Sequence, residues 1–163
     1  MDRLVESSAT VLNTSSVVNT YFGHVDIDDL DAAHGYRPLR AYGDAKLEMV
    51  LFTKELHRRY HAAGISTAAF HPGDVATNFG NASRTWWIRT AFRGPIKFLA
   101  LVGPEQGSDE LVWLASSTPG TDWKSGEYYA NHRIARANPR AYDPVLAREL
   151  WDRVDRDLRS GAA

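Results

Sequence analysis

The stretch that most constrains this chain is residues 40–60, which reads as one long helix between two short β-type runs. Tyr42, Ala45, Met49, Phe52, Leu56 and Tyr60 recur at steps of three and four and form one stripe along the axis. Leu47, Val50 and Leu51 add a second apolar patch, so this helix expects cover on more than one side. Residues 9–14 precede it as a β-rich run with little alternation, which suits a strand covered on both faces. Residues 65–70 follow as a second strand, after a stop near Ala63-Gly64 where glycine can take the left-handed cap. Strand, crossover helix and strand form a βαβ unit, and that unit implies a parallel pair.

In such sheets ligands collect beyond the carboxyl ends of the strands. Those ends are Ser15-Ser16 and the run His71-Pro72-Gly73-Asp74-Val75-Ala76-Thr77. Tyr42 and Lys46 lie one helical turn apart, so their side chains can meet. A phenol is a poor base at neutral pH, and a nearby cation is the standard way to lower its pKa. A tyrosine tuned in this way can pass a proton to or from a substrate oxygen. Such a pair also arises by chance, so its neighbours decide its meaning.

The remaining elements are read more coarsely. Residues 17–40 form a long irregular connection, broken by Gly23, Asp26, Asp28, Asp29, Asp31, Gly35 and Pro38. Pro104-Glu105-Gln106 opens a helix that runs to about Ser117. Residues 126–130 form a third short strand, and a last helix starts at Asp143-Pro144 with Leu146, Leu150, Val154 and Leu158 at steps of four.

At 163 residues the chain is one domain by length, with a net charge of −1 that offers no case for nucleic acid as a partner. It has no cysteine, which excludes disulfides and thiolate chemistry and fits a cytoplasmic setting. The first six residues lack the apolar segment of a signal peptide, and no apolar run is long enough to span a bilayer. Residues 81–103 carry Trp86, Trp87, Phe92 and Phe98 with Arg84, Arg89, Arg93 and Lys97, and no acidic residue falls between Val75 and Pro104. That stretch has two readings: a segment on a membrane surface, or a flap with its apolar side toward a substrate pocket. His57 and His61 share a helical face at metal-ligand spacing, but no third ligand is placed, and an exposed basic face is the plainer reading. Asp26, Asp28, Asp29 and Asp31 lack the glycine and terminal glutamate of a calcium loop.

The order of these motifs is specific: a strand ending in Ser15-Ser16, then Tyr42-Gly43-Asp44-Ala45-Lys46 on a helix, then a strand ending in His71-Pro72-Gly73. From Leu4 to about Leu158 the chain resembles the C-terminal portion of a short-chain dehydrogenase/reductase, above all the retinol-dehydrogenase-like branch, with Leu51-Phe52-Thr53-Lys54-Glu55-Leu56 close to that branch's wording. The resemblance implies an α/β fold, the C-terminal half of a Rossmann-type doubly wound parallel sheet with flanking helices. It implies hydride transfer between NAD or NADP and a small apolar carbonyl or alcohol. Tyr42 is similar to the family's acid/base, and Lys46 to the residue that lowers the tyrosine pKa and holds the nicotinamide ribose. Ser16 is similar to the serine that hydrogen-bonds the substrate oxygen, with Ser15 the lesser candidate. Pro72, Gly73, Val75 and Thr77 match the segment beside the nicotinamide, and Thr77 is placed to reach the carboxamide.

The chain departs from the family in three ways. Gly43 inside the helix costs about 1 kcal/mol against alanine, and Asp44 places an acid beside the pair. The larger departure is the first half: no Gly-x-x-x-Gly-x-Gly phosphate cradle is present, nor the Asn-Asn-Ala-Gly motif with the catalytic asparagine. The expectation is a single domain over 1–163, an N-terminally truncated product or a gene model begun at an internal methionine, lacking about a hundred residues of the nucleotide-binding half. Such a chain is either part of an active oxidoreductase or a catalytically silent fragment or interaction module. The apolar patch at Leu47, Val50 and Leu51 further suggests a homodimer through the central helix.

Overall fold

The computed structural model describes residues 1–73 and 104–161. A short helix α1 (Asp2–Glu6) leads into β1 (Thr10–Thr14), α2 (Val18–Phe22) and the long helix α3 (Pro38–Tyr60). After one 3-10 turn come β2 (Ser66–Phe70), α4 (Pro104–Ser116), β3 (Glu127–Ala130), β4 (Arg133–Ile134) and α5 (Pro144–Ser160).

The sheet order is β1-β2-β3-β4. β1 and β2 run parallel, from Thr10 opposite Ser66 to Thr14 opposite Phe70. β2 and β3 are also parallel, and β4 returns antiparallel to β3. β2 is one of the two inner strands, and its Thr67, Ala68, Ala69 and Phe70 are all buried. Alternation along it separates two cores. Ala69 joins Leu47, Val50 and Leu51 of α3, Tyr128 of β3, and Leu146, Ala147 and Leu150 of α5. Ala68 and Phe70 face the other side with Leu114 of α4, Trp123 and Tyr129. Helices therefore cover both faces, as a parallel sheet requires.

The structure corrects several sequence expectations. β1 is half-buried from Val11 to Asn13 and exposed at Thr10 and Thr14, and among the described residues it pairs along one edge, with β2. α3 begins two residues early, with Pro38 at its first position, where a missing N–H costs nothing. Residues 17–40 are not irregular throughout, since α2 lies within them, and the short β4 was not expected. The patch at Leu47, Val50 and Leu51 has no exposed surface and packs into the core, so it offers nothing to a second copy.

The other stripe of α3 is closed toward its C-terminal end by α5. Trp151 stacks on Phe52 at 5.2 Å, and Arg59 lies 5.0 Å over the Trp151 ring. Glu55, 1% exposed, accepts from Arg58 and Arg59, and Arg59 also donates to Asp152 of α5. Burial of this carboxylate is thus matched by two guanidinium groups, which hold its pKa below the usual range against the cost of desolvation. The aspartates of residues 26–31 build turns: Asp26 accepts from Asp28 N, and Asp29 from Ala33 N and His34 N.

Candidate active site

The site forms where α3 passes the carboxyl ends of β1 and β2. The β1 ladder continues one step beyond its last residue, since Ser15 N donates to Phe70 O at 2.8 Å. Ser15 is 1% exposed, and its hydroxyl donates to the Lys46 carbonyl of α3 at 2.7 Å. That hydroxyl is spent on tying strand to helix. Ser16 is 8% exposed, and among the described residues its hydroxyl has one long contact, accepting from Val18 N at 3.4 Å. Its hydroxyl keeps a donor for another group, which favours Ser16 over Ser15 on chemical grounds.

Lys46 connects the helix to the strand end. Its Nζ donates to Thr14 O at 3.2 Å and lies 5.6 Å from the centre of the Tyr42 ring, the one-turn pairing expected from spacing. Desolvation lowers the Lys46 pKa. Pro72 and Gly73 follow β2 after His71, whose N–H donates to Tyr129 O at 2.9 Å. Gly73 has φ +83°, a conformation glycine adopts without strain, which lets the backbone turn closely at the strand end. Val75 and Thr77 lie outside the described residues, as does the stretch 81–103.

Both small departures in the helix acquire a reason. A Cβ on Gly43 would lie 2.7 Å from the backbone and Cβ of Phe22, so glycine is what allows α2 to seat on α3. Gly23 is matched to it, since a Cβ there would meet Asn19 O at 2.6 Å and the Leu47 Cβ at 2.8 Å. Helix propensity alone makes Gly43→Ala stabilising by about 1 kcal/mol. The packing reverses the sign: we expect Gly43→Ala to destabilise by about 1–3 kcal/mol in urea unfolding, and a stabilised variant would contradict the close seat of α2. Asp44 has a structural task of its own. Its carboxylate accepts from His24 N and Val25 N and sits 3.5 Å from Arg40, so it anchors the chain after α2.

A third acid on the helix behaves differently. Burial, with Asp44 and Asp31 nearby, pushes the Glu48 carboxyl up to about 7. An acid whose folded pKa is raised lowers stability as pH climbs from its unfolded value through the folded one. Glu48→Gln should therefore match the parent near pH 4 and exceed it at pH 8 by about 1–3 kcal/mol, after allowance for solvent at a half-buried group. Equal gains at both pH values would show that the effect is not ionisation.

His57 and His61 stand at the far end of α3, in a groove of about 770 Å³ that also includes Trp123, Ser125 and Arg133. His57 Nδ1 is 2.9 Å from Ser125 Oγ, His61 Nδ1 is 3.2 Å from Ile65 O, and the rings stack at 4.4 Å. These contacts give both imidazoles structural roles, and no group of three metal-ligating side chains occurs among the described residues. What sequence reasoning missed is the set Asn19, Gly23 and Asn138 behind the serine turn. The signal available for it was Gly23 alone, twenty residues before Gly43.

No family model matches the chain. It is 34% identical over 155 residues to human retinol dehydrogenase 13, covering 93% of this chain and 46% of that protein. It is 35% identical over 132 residues to human dehydrogenase/reductase SDR family member 13, covering 80% of this chain and 34% of that protein. The chain thus spans about half the length, or less, of these relatives. A crystal structure of an uncharacterized protein from Mycobacterium Paratuberculosis superposes with a TM-score of 0.62 at 25% identity, over 90% of this chain and 49% of that one. A largely parallel sheet with helices on both faces, superposing in this way, defines a Rossmann-like α/β protein. Over the matched residues the chain is similar to retinol dehydrogenases and to a member of the short-chain dehydrogenase/reductase family, which supports a relationship to that family on its retinol-dehydrogenase-like side.

Proposed function

We propose that this chain carries the proton-transfer part of an oxidoreductase that interconverts a small apolar alcohol and its carbonyl with NAD or NADP. The supporting observation is Lys46: its Nζ spans from the tyrosine helix to the carboxyl end of the serine strand, with the Tyr42 ring alongside. The residues present suit the nicotinamide-ribose end of the cofactor, with an ammonium at one strand end and a left-handed glycine at the other. They do not suit the pyrophosphate, for which the sequence holds no glycine-rich cradle. The bound nicotinamide would supply or accept hydride. Tyr42 would move a proton at its phenol oxygen, to the substrate oxygen in reduction and from it in oxidation. Lys46 would hold the phenolate form by its charge and bind ribose hydroxyls. Ser16 would donate a hydrogen bond to the same substrate oxygen, fixing it toward Tyr42.

A second reading is favoured by one observation: among the described residues β1 pairs along a single edge, and unpaired strand edges invite association. On that reading the 163 residues are catalytically silent or serve as an interaction module. Titration of the chain with NADH and NADPH, with a carbonyl-reduction assay beside it, separates the two. Saturable binding with turnover supports the enzyme; no binding at millimolar cofactor supports the silent fragment.

A homodimer through α3 would have to use its exposed positions, such as Ala45, rather than the buried patch. Among the described residues no helix is long and apolar enough to cross a membrane. A cytoplasmic protein that touches a membrane surface through residues 81–103 is the location we propose.

A further inference from the structure

We propose that Asn138, far from the motif residues in sequence, is the positioning residue for Ser16. The inference rests on the reading of Ser16 as the site serine. The serine turn is poorly supported by its own sequence: α2 has five residues and no side-chain cap at its start, and a helix of that length does not hold itself. Its support comes from Asn19, which has no exposed surface. The Asn19 main-chain N–H and Nδ2 both donate to Ser16 O, at 3.1 and 2.6 Å, so Asn19 grips the serine's own carbonyl.

Asn19 is in turn held by Asn138. The Asn138 main-chain N–H donates to Asn19 Oδ1 at 3.0 Å, and Asn138 Nδ2 donates to Asn19 O and to Gly23 O, both at 2.9 Å. Gly43 seats α2 from one side and Asn138 closes it from another, leaving the turn at Ser16 little freedom. Asn138 Oδ1 has a separate task, accepting from Arg140 N to cap the 3-10 turn Pro139–Tyr142. The clamp and the cap use different atoms, so they can be tested apart.

Asn138→Ser keeps an oxygen for Arg140 N and removes the two donors. Asn138→Asp also keeps the cap, but sets a carboxylate against the carbonyls of Asn19 and Gly23. Hydrogen exchange followed by mass spectrometry on the 163-residue chain gives the first measurement. Exchange in peptides over residues 16–23 should rise about tenfold or more in both variants, with residues 66–70 within about twofold of the parent. Unchanged exchange over 16–23, or equal acceleration in both regions, overturns the proposal. The second measurement is turnover of the protein as its source produces it. Asn138→Ser should lower kcat about tenfold with the KM for cofactor within about twofold, and a rise in KM with kcat unchanged counts against positioning. A parent that reduces no carbonyl and oxidises no alcohol removes the dehydrogenase reading, while the exchange result still decides whether Asn138 holds the serine turn.

Discussion

Tyr42→Phe should remove turnover by about 10²–10⁴-fold, the range that general acid–base catalysis supplies, while cofactor affinity stays within a few-fold. The exchange deletes one oxygen and keeps the ring that lies 5.6 Å from Lys46 Nζ, so helix α3 and its packing are preserved. Lys46→Ala should harm both turnover and cofactor binding. It takes away the charge beside the phenol, the proposed ribose contact and the link to Thr14 O. Steady-state kinetics with cofactor titration on the protein as its source produces it separates these outcomes. A Tyr42→Phe protein with most of its turnover intact would end the assignment of Tyr42 as acid/base.

The second large effect is structural. Leu51 has no exposed surface and belongs to the core between α3, the sheet and α5. Leu51→Ala should cost about 2–5 kcal/mol, the range for deleting a buried leucine side chain. Leu51→Glu buries an unpaired carboxylate in the same place, and with a total stability of about 5–15 kcal/mol the fold should be lost. Circular dichroism and urea unfolding read this directly. Ala45→Glu, on the exposed side of the same helix, should leave stability within about 0.5 kcal/mol. If α3 does mediate a dimer, that variant is the one that should shift the mass seen by light scattering. A folded Leu51→Glu protein that merely changes from dimer to monomer would show that the patch faces a partner after all.

Leu51 also marks where sequence reasoning stops. Periodicity makes α3 a helix and identifies two apolar sets on it, but it cannot say which set faces the sheet. Both are apolar at helical spacing. The stripe with Tyr42, Met49 and Phe52 looked dominant, yet Leu47, Val50 and Leu51 took the core, while Phe52 and Tyr60 went under Trp151 of α5. That choice depends on where α5 docks, and α5 lies about ninety residues further along the chain. The same holds for Gly43. Locally it is a weak helix residue; only the seat of Phe22 against it shows why a side chain does not fit.

Within the described residues, the sequence by itself determined the order β1, α3, β2, the parallel pairing that a crossover helix enforces, and the one-turn proximity of Tyr42 to Lys46. Each is a local or near-local consequence of backbone geometry, so neighbouring residues suffice to specify it. The tertiary structure decided what those residues meet: Lys46 at Thr14 O, Ser15 spent on the helix carbonyl, Asp44 turned to the chain after α2, and Asn138 closing on Asn19. These are contacts between residues 20 to 119 positions apart. No local propensity encodes them, because they exist only once the sheet has brought the strand ends and the helix together.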